Sequence, residues 1–161
     1  MQKPTTVEIQ WYGSVWRGAV VGGRGVLTSN KGGTYAGGVA GGTFDGHGVV
    51  KWSAGATQYC ELAAGVDHRY SEDLNACGYV AHWLHERHTM LHSAAMYPDG
   101  HCRYDGKEDY SADDADLVAF WAAAQQAIVR PPQPPPTAPP WGFVRVVRAR
   151  VPRSAVAFSH C

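Results

Sequence analysis

Short runs in which large apolar residues alternate with polar or small ones fill the first third of this chain. Tyr35 and Val39 form one such run, Val49 and Trp52 form the next, and glycines stand at the ends of both. Alternation predicts β-strands with one buried face, and the glycines predict tight turns in which the backbone takes positive φ. We therefore expect a series of β-hairpins here.

A spacing of three and four residues replaces the alternation near residue 115. It predicts an amphipathic helix from Ala112 to Val129, capped by Ser111 with Asp114 as its capping-box partner. Arg130-Pro131-Pro132 ends the helix, because proline cannot continue it. The apolar stripe of this helix consists of Leu117, Phe120, Trp121, Ala124 and Ile128.

The segment between these regions is ambiguous. From Ser71 to His92, apolar residues recur at three- and four-residue steps, which favours a helix, but Gly78 interrupts the pattern and a β-meander from Gly78 onward is the alternative. Met90 to Tyr97, a Pro98-Asp99-Gly100 turn and His101 to Gly106 then read as strand, turn and strand.

The glycine and aromatic positions of the first region repeat after 23 residues. A fixed period of this length is typical of stacked supersecondary units, each of which needs its neighbours to cover its apolar face. One copy is Tyr12, Ser14, Trp16, Ala19, Gly23, Gly25 and Gly32; the next is Tyr35, Gly37, Val39, Gly42, Gly46, Gly48 and Gly55.

This pattern resembles MORN repeats, in which Tyr-x-Gly-x-aromatic-x-x-Gly is followed by Gly-x-Gly and a further glycine. The copy from Tyr35 to Gly55 fits at nearly every position, and the copy from Tyr12 to Gly32 keeps the later glycines. A third copy starts at Tyr59 and then dissolves. The resemblance implies an antiparallel array of β-hairpins that binds proteins and commonly self-associates.

Together these patterns predict a mainly β fold of the α+β class: a MORN-type β-hairpin array capped by one or two helices. Residues 1–66 would form the repeats, and residues 67–130 a degenerate repeat, a hairpin and the capping helix. Residues 131–140 carry seven prolines and would form an extended spacer. Residues 141–161 would be a basic extended tail.

Composition narrows the classes of function. The formal net charge is zero, so nucleic acid is not an expected partner. No apolar run approaches the roughly 20 residues that span a bilayer, and the polar start lacks a signal-peptide core, so we expect an intracellular protein. The four cysteines show no CxxC spacing and are expected to be reduced thiols.

Two groups of residues invite a catalytic interpretation. If residues 71–92 were helical, the histidines from His82 to His92 would share one face, and His85, His88 and His92 would be candidate metal ligands. The sequence His85-Glu86-Arg87-His88 is one residue short of the HExxH zinc motif. Cys77 faintly resembles the nucleophile of ubiquitin-like-protein proteases, but we expect a small buried cysteine.

The sequence therefore predicts a non-enzymatic scaffold with no cofactor or metal, whose partner is protein, in the first place another copy of the chain. The alternatives are a phosphoinositide-binding adaptor at a membrane surface and, further off, a thiol- or metal-dependent hydrolase. The candidate interaction residues are the repeat aromatics Trp16, Tyr35, Trp52 and Tyr59 and the tail arginines Arg145, Arg148, Arg150 and Arg153.

Overall fold

The computed structural model describes residues 2–87, 89–110 and 114–130. It confirms the expected fold class, because antiparallel β-hairpins are followed by a C-terminal helix. The strands are β1 (Thr5–Trp11), β2 (Ser14–Val21), β3 (Arg24–Ser29), β4 (Thr34–Ala40), β5 (Thr43–Lys51), β6 (Thr57–Ala63), β7 (Val66–Asp67), β8 (Arg69–Leu74), β9 (Val80–Glu86), β10 (Thr89–Met96), β11 (Cys102–Tyr104) and β12 (Lys107–Tyr110), and the helix is α1 (Ala115–Ala127).

All strands belong to one open sheet. Each pairs antiparallel with the next in the chain, except that the short β7 pairs only with β6, so that β8 becomes the next neighbour of β6. The sheet therefore runs without interruption past residue 66, where the sequence predicted a boundary. β1 lies at one edge of the order and β12 at the other.

A hydrogen-bonded turn recurs with the period found in the sequence and outlasts the glycine-rich region. In each copy a glycine N–H donates to the carbonyl three residues earlier, at 2.9–3.1 Å. These glycines need positive φ, between 87° and 95° for the first three, whereas 22 residues separate the last two. The closing glycines are Gly32, Gly55, Gly78 and Gly100.

The main core lies on one face of the first six strands, which we call the inner face. Its largest side chains, Trp16, Tyr35 and Phe44, are fully buried, and the rings of Tyr35 and Phe44 stack 3.9 Å apart. Glycines on the neighbouring strands make room for these rings: a Cβ at Gly48 would overlap the Tyr35 ring, and one at Gly33 would lie 3.0 Å from Trp16 Cη2. The sequence pairing of aromatics with glycines is thus a packing requirement.

Trp11, at the end of β1, carries the first hairpin across this core. Its ring lies 5.0 Å from Phe44 and stacks 5.8 Å from Trp52, and its Nε1 donates to the Gly65 carbonyl at 2.8 Å. These contacts join β1 to residues that lie several strands away in the sheet.

A second core lies on the opposite, outer face, where α1 packs against β8, β9 and β10. The helix buries Leu117, Phe120 and Ala124 there, so the predicted stripe is confirmed. Its start differs from the prediction: Asp114 is the N-cap and accepts from the Asp116 and Leu117 N–H groups, and Ser111 lies outside the described residues. Within the described residues, no helix is long and apolar enough to cross a membrane.

The preference for a helix between Ser71 and His92 is wrong, and the β alternative holds. The segment forms β8, β9 and the start of β10. Ala81 and His82 are adjacent in β9 and both buried, one on each face, so burial hides the period of two that identifies a half-exposed strand. The strand, turn and strand expected from Met90 to Gly106 are confirmed.

The contact between Gly48 and Tyr35 predicts the effect of one methyl group. Gly48→Ala should lower the free energy of unfolding by about 1–3 kcal/mol, because the new Cβ overlaps a ring that has no room to move. Urea unfolding measures this. Gly42→Ala is the matched control, since its Cβ would meet nothing within 4 Å and its cost comes only from positive φ.

The two costs should separate in a Tyr35→Leu background. There, the penalty of Gly48→Ala should shrink and that of Gly42→Ala should stay unchanged. An equal Gly48→Ala penalty in both backgrounds would contradict the packing account.

Candidate functional site

The structure separates the histidines that the sequence grouped. His82 faces α1 and is fully buried, His92 lies on the same face with its side chain about half exposed, and His85 points to the opposite face. His88 lies outside the described residues. Across 2–87, 89–110 and 114–130, no three His, Cys, Asp or Glu side chains come together as a metal site.

His82 forms part of a buried polar network beneath α1. Its Nε2 lies 2.6 Å from Glu72 Oε2, the Gln125 side chain donates to the same oxygen at 3.3 Å, and the Trp121 ring stands edge-on 4.1 Å away. A histidine oriented by a carboxylate is the arrangement of a general base. Here both partners are sealed from solvent, so the geometry supports a role in positioning α1 on the sheet.

Asp73 is the counterpart on the inner face. Trp83 Nε1 donates to Asp73 Oδ2 at 3.1 Å, while Oδ1 is buried and has no hydrogen-bond partner among the described residues. Burial raises the pKa of Asp73 to about 6, and the nearby charge of Asp67 adds to the rise. The carboxyl group can therefore carry a proton at mildly acidic pH.

Asp67 links this cluster to the tip of the first hairpin, because its Oδ2 accepts from the Tyr12 hydroxyl at 3.0 Å. Burial raises the pKa of Tyr12 to about 12 and that of the Cys60 thiol to about 12, and Asp67 adds to both rises. Both groups are thus protonated near neutral pH, and Cys60 is not an activated nucleophile.

Cys77 differs from its prediction. It lies in the turn that ends at Tyr79, is partly exposed, and is disulfide-bonded. The expectations of a small core residue and of a reduced thiol are therefore wrong at this position. A sulfur held in a disulfide is not a thiolate nucleophile, whereas Cys60 and Cys102 are free and buried.

The aromatic residues predicted to interact with partners lie mostly inside the molecule. Trp16 and Tyr35 are fully buried, Tyr59 is 5% exposed, and Trp52 is half-buried against Trp11. Their rings stabilise the sheet from within. The other predicted interaction residues, Arg145, Arg148, Arg150 and Arg153, lie outside the described residues.

The outer edge of β1 remains as an accessible site. The two-residue turn Tyr12-Gly13, with φ of 46° and 66°, makes Trp11 and Ser14 a hydrogen-bonded pair. In an antiparallel ladder such pairs alternate with non-bonded ones, whose N–H and C=O groups point away from the partner strand. On β1 the outward-pointing residues are Thr6, Glu8 and Gln10, which face Ala19, Arg17 and Val15.

These three residues are exposed, and their outward backbone groups have no partner among the described residues. The side chains of Val7, Ile9 and Trp11 point to the inner face and extend its core to the edge. On the outer face, Glu8 pairs with Arg17 at 2.6 Å. The edge therefore combines free hydrogen-bonding groups with one apolar and one polar face.

Sequence reasoning missed β1 because it took Met1 to Glu8 as a polar start. The signal is present: Val7, Ile9 and Trp11 alternate with Glu8 and Gln10 directly before the Tyr12-Gly13 turn. Comparison of the chain with models of protein families and with curated proteins found no match. The functional argument therefore comes from the geometry of the chain itself.

The raised pKa of Asp73 predicts a pH-dependent stability. The folded state binds this proton more tightly than the unfolded chain, whose pKa is near 3.8. Stability from Asp73 is thus fully present below pH 3.8 and is lost as the pH rises through about 6. Relative to Asp73→Asn, the wild type should lose roughly 2–3 kcal/mol across this window.

Urea unfolding of both chains between pH 4 and pH 7 measures the difference. Trp83→Phe serves as a second variant, because losing the indole donor should raise the pKa of Asp73 further and move the window to higher pH. A difference between wild type and Asp73→Asn that does not change with pH would contradict this account.

Proposed function

We propose that this chain is a non-enzymatic structural module that binds protein by adding a strand at the edge of β1, and that it self-assembles in this way. The observation that carries the proposal is the row of unpaired backbone groups at Thr6, Glu8 and Gln10. An exposed edge of this kind is a template for another strand.

The length and facing of β1 support the same proposal. Its seven residues extend over roughly 23 Å, enough for three pairs of inter-strand hydrogen bonds. An added strand with alternating side chains would continue the apolar inner face beyond Ile9 and the polar outer face beyond Glu8. Proteins commonly blunt free edges with proline or lysine, and between Thr5 and Trp11 there is neither.

The residues that suggested catalysis support structural roles. The Glu72–His82 pair lies beneath α1 with both side chains buried, and Cys77 is disulfide-bonded. The adaptor alternative would need clustered cations for an anionic lipid surface. Arg17, on the outer face, is paired with Glu8, so it does not favour that alternative.

The resemblance to MORN repeats supports the proposal independently of the edge, because it implies interaction between proteins and commonly self-association. The open sheet of β-hairpins agrees with that expectation at the level of the fold. It assigns no partner by itself.

The test removes one outward N–H from the edge. In Thr6→Pro the donor is lost and the ring projects toward an incoming strand, yet no hydrogen bond to β2 is broken, since the Thr6 N–H points away from it. Light scattering of the full chain should show association in the wild type and a clear loss of it in Thr6→Pro.

Thr6→Val is the matched control, because it keeps the backbone N–H and should associate like the wild type. A wild-type chain that stays monomeric at high concentration would overturn self-assembly. An oligomer that Thr6→Pro leaves intact would move the contact away from β1.

A further inference from the structure

We infer that the occupant of the β1 edge is β1 of a second copy of this chain, running antiparallel about a two-fold axis that passes at Glu8. This inference rests on the proposed function and adds the partner, the symmetry and the register. It follows from which backbone groups of β1 are free and from what lies at each end of the strand.

The free groups restrict the register to a few choices. In an antiparallel pair, residues whose backbone groups point outward on one strand must face outward-pointing residues on the other. With the axis at Glu8, Thr6 faces Gln10 of the second copy, Glu8 faces its equivalent and Gln10 faces Thr6. Each pair exchanges two hydrogen bonds, so all the free groups of β1 are used.

The neighbouring registers use fewer of these groups. An axis at Val7 sets Gln10 against Pro4, which precedes the strand and has no N–H. An axis at Ile9 sets Thr6 against Tyr12, which lies in the positive-φ turn and cannot continue the ladder. The axis at Glu8 is thus the register that β1 satisfies completely.

The side chains agree with this register on both faces. On the inner face, Val7 lies opposite Ile9 of the second copy, so the two apolar cores meet across the new ladder. On the outer face, Thr6 lies opposite Gln10, and both are polar. An odd shift of the register would place apolar side chains against polar ones.

The two Glu8 carboxylates are the unfavourable element, because like charges directly opposite each other repel. Each is held by Arg17 of its own chain at 2.6 Å, with the side chains 72% and 50% exposed for Arg17 and Glu8. The axis therefore carries two carboxylates flanked by two guanidinium groups, which limits the repulsion without removing it.

A single cysteine on the axis tests the register. Facing residues of a hydrogen-bonded antiparallel pair have Cα atoms about 5.5 Å apart, within the range that a disulfide bridges. Glu8→Cys should therefore cross-link to its equivalent under mild oxidation and run as a covalent dimer on a non-reducing gel. Thr6→Cys is the matched control, because the two Thr6 residues would be about 13 Å apart.

The outcomes separate the register from the proposed function. Efficient cross-linking of Glu8→Cys, with little for Thr6→Cys, supports the inference. Failure of Glu8→Cys to cross-link while the full chain is oligomeric by light scattering overturns the two-fold register and leaves edge binding standing. A monomeric wild type overturns both.

Glu8→Gln gives a second, independent test. Removing the repulsion should lower the dissociation constant of the dimer roughly two- to fivefold. Glu61→Gln, on the outer face of the interior strand β6, should leave it unchanged. A dimer weakened by Glu8→Gln would contradict an axis at Glu8, because in another register this carboxylate would face a neutral or favourable partner.

Discussion

The packing of aromatic rings onto glycine backbone is the constraint on which the structure depends. Tyr35 lies over Gly48 on the neighbouring strand and Trp16 lies over Gly33, and a Cβ at either glycine would intrude on the ring. The rings can therefore be fully buried within one layer of strands. Because the sheet fills its own inner face in this way, the first six strands have a core without a helix over it.

The same constraint determines where the rest of the chain packs. β8 and β9 lack the glycine and aromatic pairs, and α1 buries their outer face instead. The buried pair of Glu72 and His82, with Gln125 reaching the same carboxylate, holds the helix at this place. Burying these groups costs free energy, which their mutual hydrogen bonds offset. Neither core covers the outer edge of β1, so the proposed site of association follows from the way the sheet is stabilised.

The elements that the sequence predicted well are those with one buried face or one strict backbone requirement. The hairpins around Tyr35 and the stripe of Leu117 and Phe120 show simple periods, and the turn glycines recur every 22 or 23 residues. Residues 71–92 were harder because Ala81 and His82 are buried on opposite faces, which removes the alternation. The edge could not be recognised from composition, since it depends on which N–H groups of β1 lack a partner. That is a property of the pairing with β2.

The most direct measurement of the central claim is amide hydrogen exchange along β1 at low and high protein concentration. The account predicts that the N–H groups of Val7, Ile9 and Trp11, which pair with β2, are protected at both concentrations. Those of Thr6, Glu8 and Gln10 should exchange rapidly in dilute solution and become protected when the chain is concentrated. Exchange at these three positions that does not depend on concentration would contradict the claim that the edge of β1 holds another strand.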